Sequence, residues 1–478
     1  MTLKILLGVT CVLAILALTA VLRALPRRKK TRPSAGQPVD IPSMDEAIPR
    51  FQALVRQPTI SIGDLSLMDW DVFNGFKQLL LDLYPTVAAK GNRVDMGPTG
   101  VLYRIAGKSS AQPVVLMSHY DVVSVADSWS RDPFGGELID GEIWGRGTVD
   151  TKITLWSILE ATEKLLREGF LPENDIYLSF SGDEESSGRS CNATVDWMEK
   201  EGIHPAMVLD EGSYVYNDNI LGVKEPLAMV AVAEKGALGV EVKVCTKGGH
   251  SSLPPLPNSL ALVGKAVAKM DGSPLPIHMT GLVRTLVDAV ADQTSSFRVR
   301  LLLRNRWLFM PLIRALCRRN KYYNAFTTTT LAFTMASGSK KGNVLPSTAE
   351  ISGNFRTLPG DTQESLQKKY SKLVQDKRVA VTVGGGPEPS PVSSTNTPHY
   401  QKLCAAVEGV WQVPATPCCF IAGTDAKFFG RICPDIYRFS PLEITLPEAE
   451  YAHSDDERIR VGTAKKCLEF YSRLIRTL

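Results

Sequence analysis

Three short apolar runs, Val114 to Ser118, Ile176 to Ser181 and Ala206 to Leu209, each end in a histidine or in carboxylates: His119 and Asp121, then Asp183, Glu184 and Glu185, then Asp210 and Glu211. Helical segments separate the runs. Between the first two, Leu155, Leu159, Leu165 and Leu166 recur near helical spacing until Gly169 stops the pattern. Short apolar strands alternating with amphipathic helices build an α/β fold around a mostly parallel sheet. Such sheets collect ligands beyond the carboxyl ends of their strands, where these acids and the histidine fall.

At 478 residues the chain holds two or three domains of roughly 100 to 200 residues each. Residues 43–233 carry the strand-end acids and read as the first part of a catalytic domain. From 234 to 384 the texture changes to alternating strands, Val240 to Val244, Leu331 to Met335 and Ala349 to Phe355, with helices between them: an inserted α+β domain. Residues 385–478 then complete the first domain. Lys+Arg 54 against Asp+Glu 50 leaves a net charge of +4, too near balance for a protein whose main work is gripping nucleic acid. Nine cysteines without CxxC spacing indicate neither a zinc ribbon nor a disulfide scaffold.

The chain opens with an uncharged stretch from Ile5 to Leu22, flanked by Lys4 and by Arg23, Arg27, Arg28, Lys29, Lys30 and Arg32. Residues 1–25 therefore read as a signal peptide or a signal anchor, and the expected location is secreted, or alternatively single-pass membrane-anchored in the secretory pathway. Residues 26–42, rich in proline and basic groups, read as a linker outside the fold.

Chemistry concentrates in five loops. SHYDVV at 118–123 sets the imidazole of His119 at a strand end, with Asp121 two residues on to orient it. GRGTVD at 145–150 delivers Asp150 after a glycine-rich loop, GDEESSG at 182–188 holds adjacent Glu184 and Glu185, LDEG at 209–212 holds Asp210, and YAHSDDE at 451–457 holds His453. Singly, each has a plain structural explanation: a core histidine, a helix cap, a solvated acidic turn. Jointly they need positive charge. Asp150, Glu185 and Asp210 supply three negatives with neutral His119 and His453, which suits two zinc ions held by oxygen and nitrogen. Glu184, beside a ligand but free itself, is placed to take a proton from water.

With these motifs the chain resembles the di-zinc metallohydrolases that include aminoacylase, glutamate carboxypeptidase and vacuolar carboxypeptidase S, over roughly residues 44–475. The resemblance implies a di-zinc exopeptidase-like catalytic domain and a ferredoxin-like lid and dimerisation domain. It implies that His119, Asp150, Glu185, Asp210 and His453 are metal ligands with Asp150 bridging, that Asp121 supports His119, and that Glu184 is the base. GGHSS at 248–252 matches the family's histidine that reaches the partner subunit's active site, which assigns His250 to oxyanion stabilisation in a homodimer. GNVLP at 342–346 and NFR at 354–356 assign Asn343 and Arg356 to substrate, Arg356 to its carboxylate, and Gly423 and Thr424 match a loop bordering that end. One position departs: Thr151 stands where the family usually has a second acidic residue.

Within the family the match is nearest the N-fatty-acyl-amino acid synthase/hydrolase branch, through AEKG at 233–236, GGHSSLPP from 248, NRWLFMPLI at 305–313 and TTTTLAF at 327–333. The implied reaction is hydrolysis, or reverse synthesis, of the amide of an N-fatty-acyl amino acid, a small-molecule substrate. The alternatives are a carboxypeptidase or dipeptidase of the carboxypeptidase S type and, from another class, a catalytically silent interaction protein, against which the complete ligand set and Glu184 argue. Finally, residues 298–321 carry eight basic and no acidic residues interleaved with Trp307, Phe309 and leucines. They read either as a helix pair interrupted at Pro311 or as a lip of the inserted domain facing a lipid or lipoprotein surface.

Overall fold

The computed structural model describes residues 2–26 and 38–478, apart from Asp127, Pro274 and His278. Most of the 26–42 linker lies outside the described residues. Eight strands form the larger sheet, in spatial order Asn92–Met96, Gly100–Ile105, Asn174–Ser181, Ser109–His119, Met207–Tyr216, Ile436–Ile444, Leu227–Glu234 and Thr416–Phe420. The four strands from Asn174–Ser181 to Ile436–Ile444 run parallel.

Successive strand residues point to opposite faces, so each central run feeds two cores. Leu116, Leu178 and Leu209 join Ile153 and Leu159 of the helix Lys152–Arg167 and Leu468 of the helix Val461–Thr477. Val115, Tyr177 and Val208 face the other way, onto Val195 of the helix Arg189–Lys200 and Phe429 of the short helix Asp425–Arg431. The sheet is covered on both sides, and only its strand ends are left for chemistry.

A second, antiparallel sheet has the order Thr330–Ser337, Thr348–Thr357, Gly236–Cys245, Val379–Gly384. Gly236–Cys245 alternates buried and half-buried residues. Its buried side, with Leu238, Val240, Val242 and Val244, packs on Leu262 and Met270 of Ser259–Asp271 and on Leu366 and Tyr370 of Gln363–Val374.

Four helices lie within this stretch of sequence yet pack elsewhere: Gly281–Gln293, Phe297–Arg304, Arg306–Arg319 and Lys321–Thr327. Thr280, Ser296 and Asn320 cap three of them through side-chain oxygens. Val290 is buried with Leu227, Met229 and Cys418, and Val283 with Ala233 and Cys419, all on strands of the larger sheet. Residues 281–327 are thus inserted beside the smaller sheet in sequence but cover the edge of the larger one. The break in the basic segment falls at buried Asn305 and not at Pro311, which sits inside the helix Arg306–Arg319. Asn305 donates through Nδ2 to the Leu301 carbonyl at 3.0 Å and to the Ala20 carbonyl at 2.9 Å.

Ala20 belongs to the helix Thr2–Ala24, whose segment Lys4–Ala24 is long and apolar enough to cross a membrane. Ala20 and Ala24, in its last turns, are buried, while Ile5, Leu13 and Leu18 are exposed.

Candidate metal centre

His119 is the last residue of its strand. Its Nδ1 lies 3.0 Å from the Asp121 carbonyl oxygen. A proton held on Nδ1 by that carbonyl leaves Nε2 free to act as a donor atom. Nε2 is 3.1 Å from Asp150 Oδ1 and 3.1 Å from Glu211 Oε1. Across the site, His453 Nε2 is 2.8 Å from Glu185 Oε1 and 3.1 Å from Asp150 Oδ2. Two donor sets result, His119 with Glu211 and His453 with Glu185, and Asp150 offers one oxygen to each.

The loop carrying Asp150 is held by a residue the sequence reading did not single out. Fully buried Glu457 accepts from the backbone N–H groups of Val149 at 2.7 Å, Asp150 at 3.2 Å and Gly147 at 3.1 Å, and from Arg146 Nη1 at 2.9 Å. Gly147 adopts φ +87, and a Cβ there would stand 2.9 Å from Val122, so glycine is required for this approach. The Asp150–Thr151 peptide is cis. The Thr151 hydroxyl pairs with that of Thr154 at 2.8 Å.

Asp121 is also fully buried and serves more than the histidine. It accepts from Ser61 Oγ at 2.6 Å and from the backbone N–H groups of Glu184 at 3.2 Å and Glu185 at 3.0 Å. One carboxylate therefore positions the turn that presents both glutamates. Glu184 lies within reach of His119 and Glu211. Burial pushes its carboxyl well above the ordinary range; His119 opposes the shift, and Asp425, Glu211 and Asp121 add to it.

Asp210 lies outside both donor sets, next to Glu211. Its Oδ2 accepts from Ala426 N at 3.0 Å and its Oδ1 from Glu211 N at 2.9 Å, so both oxygens are engaged by backbone N–H groups. Adjacent strand residues point to opposite faces, and this register presents Glu211 in its place. Gly212, at φ +151, packs against Arg438 where the strand shifts register.

The residues present fit a pair of divalent cations. Asp150, Glu184, Glu185 and Glu211 surround two imidazoles, and the charge is balanced only by protons. Burial pushes Glu211 up to about 8, and hydrogen bonds to Asp150 and Glu185 push His453 up to about 10. A cation in each donor set would supply the positive charge directly, from nitrogen and oxygen donors only.

The remaining candidates lie apart from the cluster. Exposed His250 pairs in register with Val344, and the Ser251 N–H donates to the Asn343 carbonyl at 3.1 Å, so His250 and Asn343 share one small ribbon. His250 Nδ1 lies 2.7 Å from Ser252 Oγ. Arg356 pairs with Ala237, just after the point where the chain crosses from the larger sheet to the smaller. Thr424 donates through both its N–H and hydroxyl to Glu234 Oε2 at 3.1 Å, beside exposed Gly423. Glu234 also receives Arg438 Nε at 2.8 Å, so the Thr424 hydroxyl is engaged in a buried network.

A mostly parallel α/β sheet with paired nitrogen and oxygen donor sets at its strand ends has the make-up of a metal-dependent hydrolase. The sequence signature of Peptidase family M20/M25/M40 spans residues 115–477, and the chain belongs to that family. It is 35% identical over 381 residues to the N-fatty-acyl-amino acid synthase/hydrolase PM20D1 of Homo sapiens, covering 78% of this chain and 76% of that one. It is 31% identical over 428 residues to the probable carboxypeptidase S-like 2 of Dictyostelium discoideum, covering 87% and 82%. In fold it is similar to the M20 family metallo-carboxypeptidase Sso-CP2 of Sulfolobus solfataricus, with a TM-score of 0.65, 17% identity, and coverage of 91% and 99%.

Proposed function

We propose that the chain hydrolyses, and at high product concentration forms, the amide bond of N-fatty-acyl amino acids with the help of two zinc ions, to both of which Asp150 would offer an oxygen. The observation that carries this reading is the pair of donor sets sharing Asp150, with Glu184 beside them. The name of the 35%-identical human relative supports the acyl group. His119, Asp150 and Glu211 would hold one ion and His453, Asp150 and Glu185 the other. Bound there, zinc would supply Lewis acidity toward the amide carbonyl and toward a water molecule. Glu184 takes the proton of the water whose oxygen attacks the carbonyl carbon, and passes it to the amine nitrogen as the C–N bond breaks. Asp121 keeps His119 and the Glu184 turn in position. His250 donates to the oxyanion from the partner subunit of a homodimer, Asn343 lines the substrate, and Arg356 pairs with its carboxylate beside the Gly423–Thr424 loop.

The chain is secreted or anchored by its first helix, and its body meets a lipid or lipoprotein surface through residues 298–321. Support comes from the exposed Trp307, Leu308, Leu312 and Leu316 on Arg306–Arg319, beside exposed Arg314, Arg318 and Arg319. The carboxypeptidase S-like relative favours a second reading, a peptide substrate of the same reaction. A screen of N-oleoyl amino acids against dipeptides, with and without chelator, separates the two. Turnover of the acyl amino acids that stops on chelation is expected, and exclusive turnover of dipeptides would overturn the reading.

A further inference from the structure

The helices of residues 281–327 enclose, with the larger sheet, a cavity of about 290 Å³. Its lining is almost wholly aliphatic and aromatic, including Tyr216, Met229, Leu286, Val290, Met310 and Ile313. A carbon-lined cavity of this size suits an apolar ligand.

Its place in the fold ties it to the metal centre. Tyr216 ends the strand that presents Glu211 five residues earlier, at most about 17 Å away at the rise of a strand. Leu446, another lining residue, follows the parallel strand Ile436–Ile444 and leads into the loop of His453. The cavity therefore lies at the same end of the sheet as the donor sets. Tyr214 bridges the gap, with its ring 6.0 Å from that of Tyr216. Lys321 Nζ, from the last cavity helix, meets Glu450 Oε1 at 2.8 Å, three residues before His453. A fatty-acyl chain extends about 15 Å, half of the hydrocarbon thickness of a bilayer, so with its carbonyl at the donor sets its distal end reaches the cavity.

We infer that this cavity is the acyl-chain site, and that residues 281–327 set which chain lengths the enzyme accepts. The inference rests on the acyl-amino-acid reading above and adds the place and the residues that hold the chain. Half-buried Met310 and Ile313 lie on the outermost wall, where a larger side chain can fill the space without entering the sheet core. Each methylene excluded from an apolar site costs roughly fourfold in kcat/KM, by about 0.8 kcal/mol per group.

The test compares the full chain with Met310→Trp and Ile313→Trp on N-acetyl, N-octanoyl and N-oleoyl derivatives of one amino acid. A loss of roughly 15-fold or more is expected on the oleoyl substrate, with the acetyl substrate unchanged within about twofold. Ile313→Ala, which widens the cavity, should shift the preference toward longer chains. Binding of the fluorescent fatty acid cis-parinaric acid is measured alongside and needs no turnover; both Trp variants should weaken it. Unchanged oleoyl turnover and parinarate binding in folded Trp variants would overturn the inference, as would equal losses on all chain lengths. Parinarate binding that the Trp variants abolish, in a protein that hydrolyses no acyl amino acid, would sink the reaction and uphold the cavity.

Discussion

Glu211 Oε1 stands 3.1 Å from His119 Nε2, while the preceding residue, Asp210, accepts through Oδ2 from the backbone N–H of Ala426 at 3.0 Å. The two acids differ by one position and by one face. Glu211→Ala should lower metal content from two ions toward one and cut activity by roughly 100-fold or more. Asp210→Asn should keep both ions and cost stability instead. Metal analysis with parallel thermal melts decides between them, and metal loss from Asp210→Asn would restore Asp210 as the ligand.

Glu184→Gln should abolish turnover with both ions retained, a loss of about 100-fold or more for a proton-transferring group. Zinc loss from this variant would mean that Glu184 and Glu185 exchange roles.

Asp121→Asn keeps the size of the side chain but removes the charge that receives three donors, Ser61 Oγ and the N–H groups of Glu184 and Glu185. Metal affinity should fall by about 10- to 100-fold, as is typical when a group behind the ligands is changed. Competition with a graded chelator reads this directly.

Glu457→Ala removes the partner of Arg146, which is itself 2% exposed, and frees three backbone N–H groups of the Asp150 loop. Breaking such a buried pair costs about 3–5 kcal/mol, so the melting temperature should drop by several degrees and metal binding should weaken with it. A variant that melts like the parent would show that the loop holds itself.

Protein lacking residues 1–32 should still bind anionic vesicles in a salt-sensitive way, because Arg314, Arg318 and Arg319 are exposed on the body. Changing all three to Glu should weaken that binding and spare turnover of a short acyl amino acid. Vesicle sedimentation at low and high salt measures it.

The sequence by itself determined the parallel sheet, because apolar runs of strand length alternating with helical periodicity have few other solutions. It pointed to the loops of His119, Asp150, Glu184 and Glu185, and His453 as the candidate site, because acids massed at apolar strand ends need compensating positive charge. Only the tertiary structure set Glu211 against His119 and the Asp210 oxygens against backbone N–H groups, since a one-residue register difference reverses a side chain's face and leaves no trace in the residue order. It alone brought Glu457 beneath the Asp150 loop, about 300 positions away in the chain. It also decided that residues 281–327 lie against the larger sheet. Their periodicity states that one helix face must be buried, but which surface buries it depends on the shape and apolar area of neighbours distant in sequence.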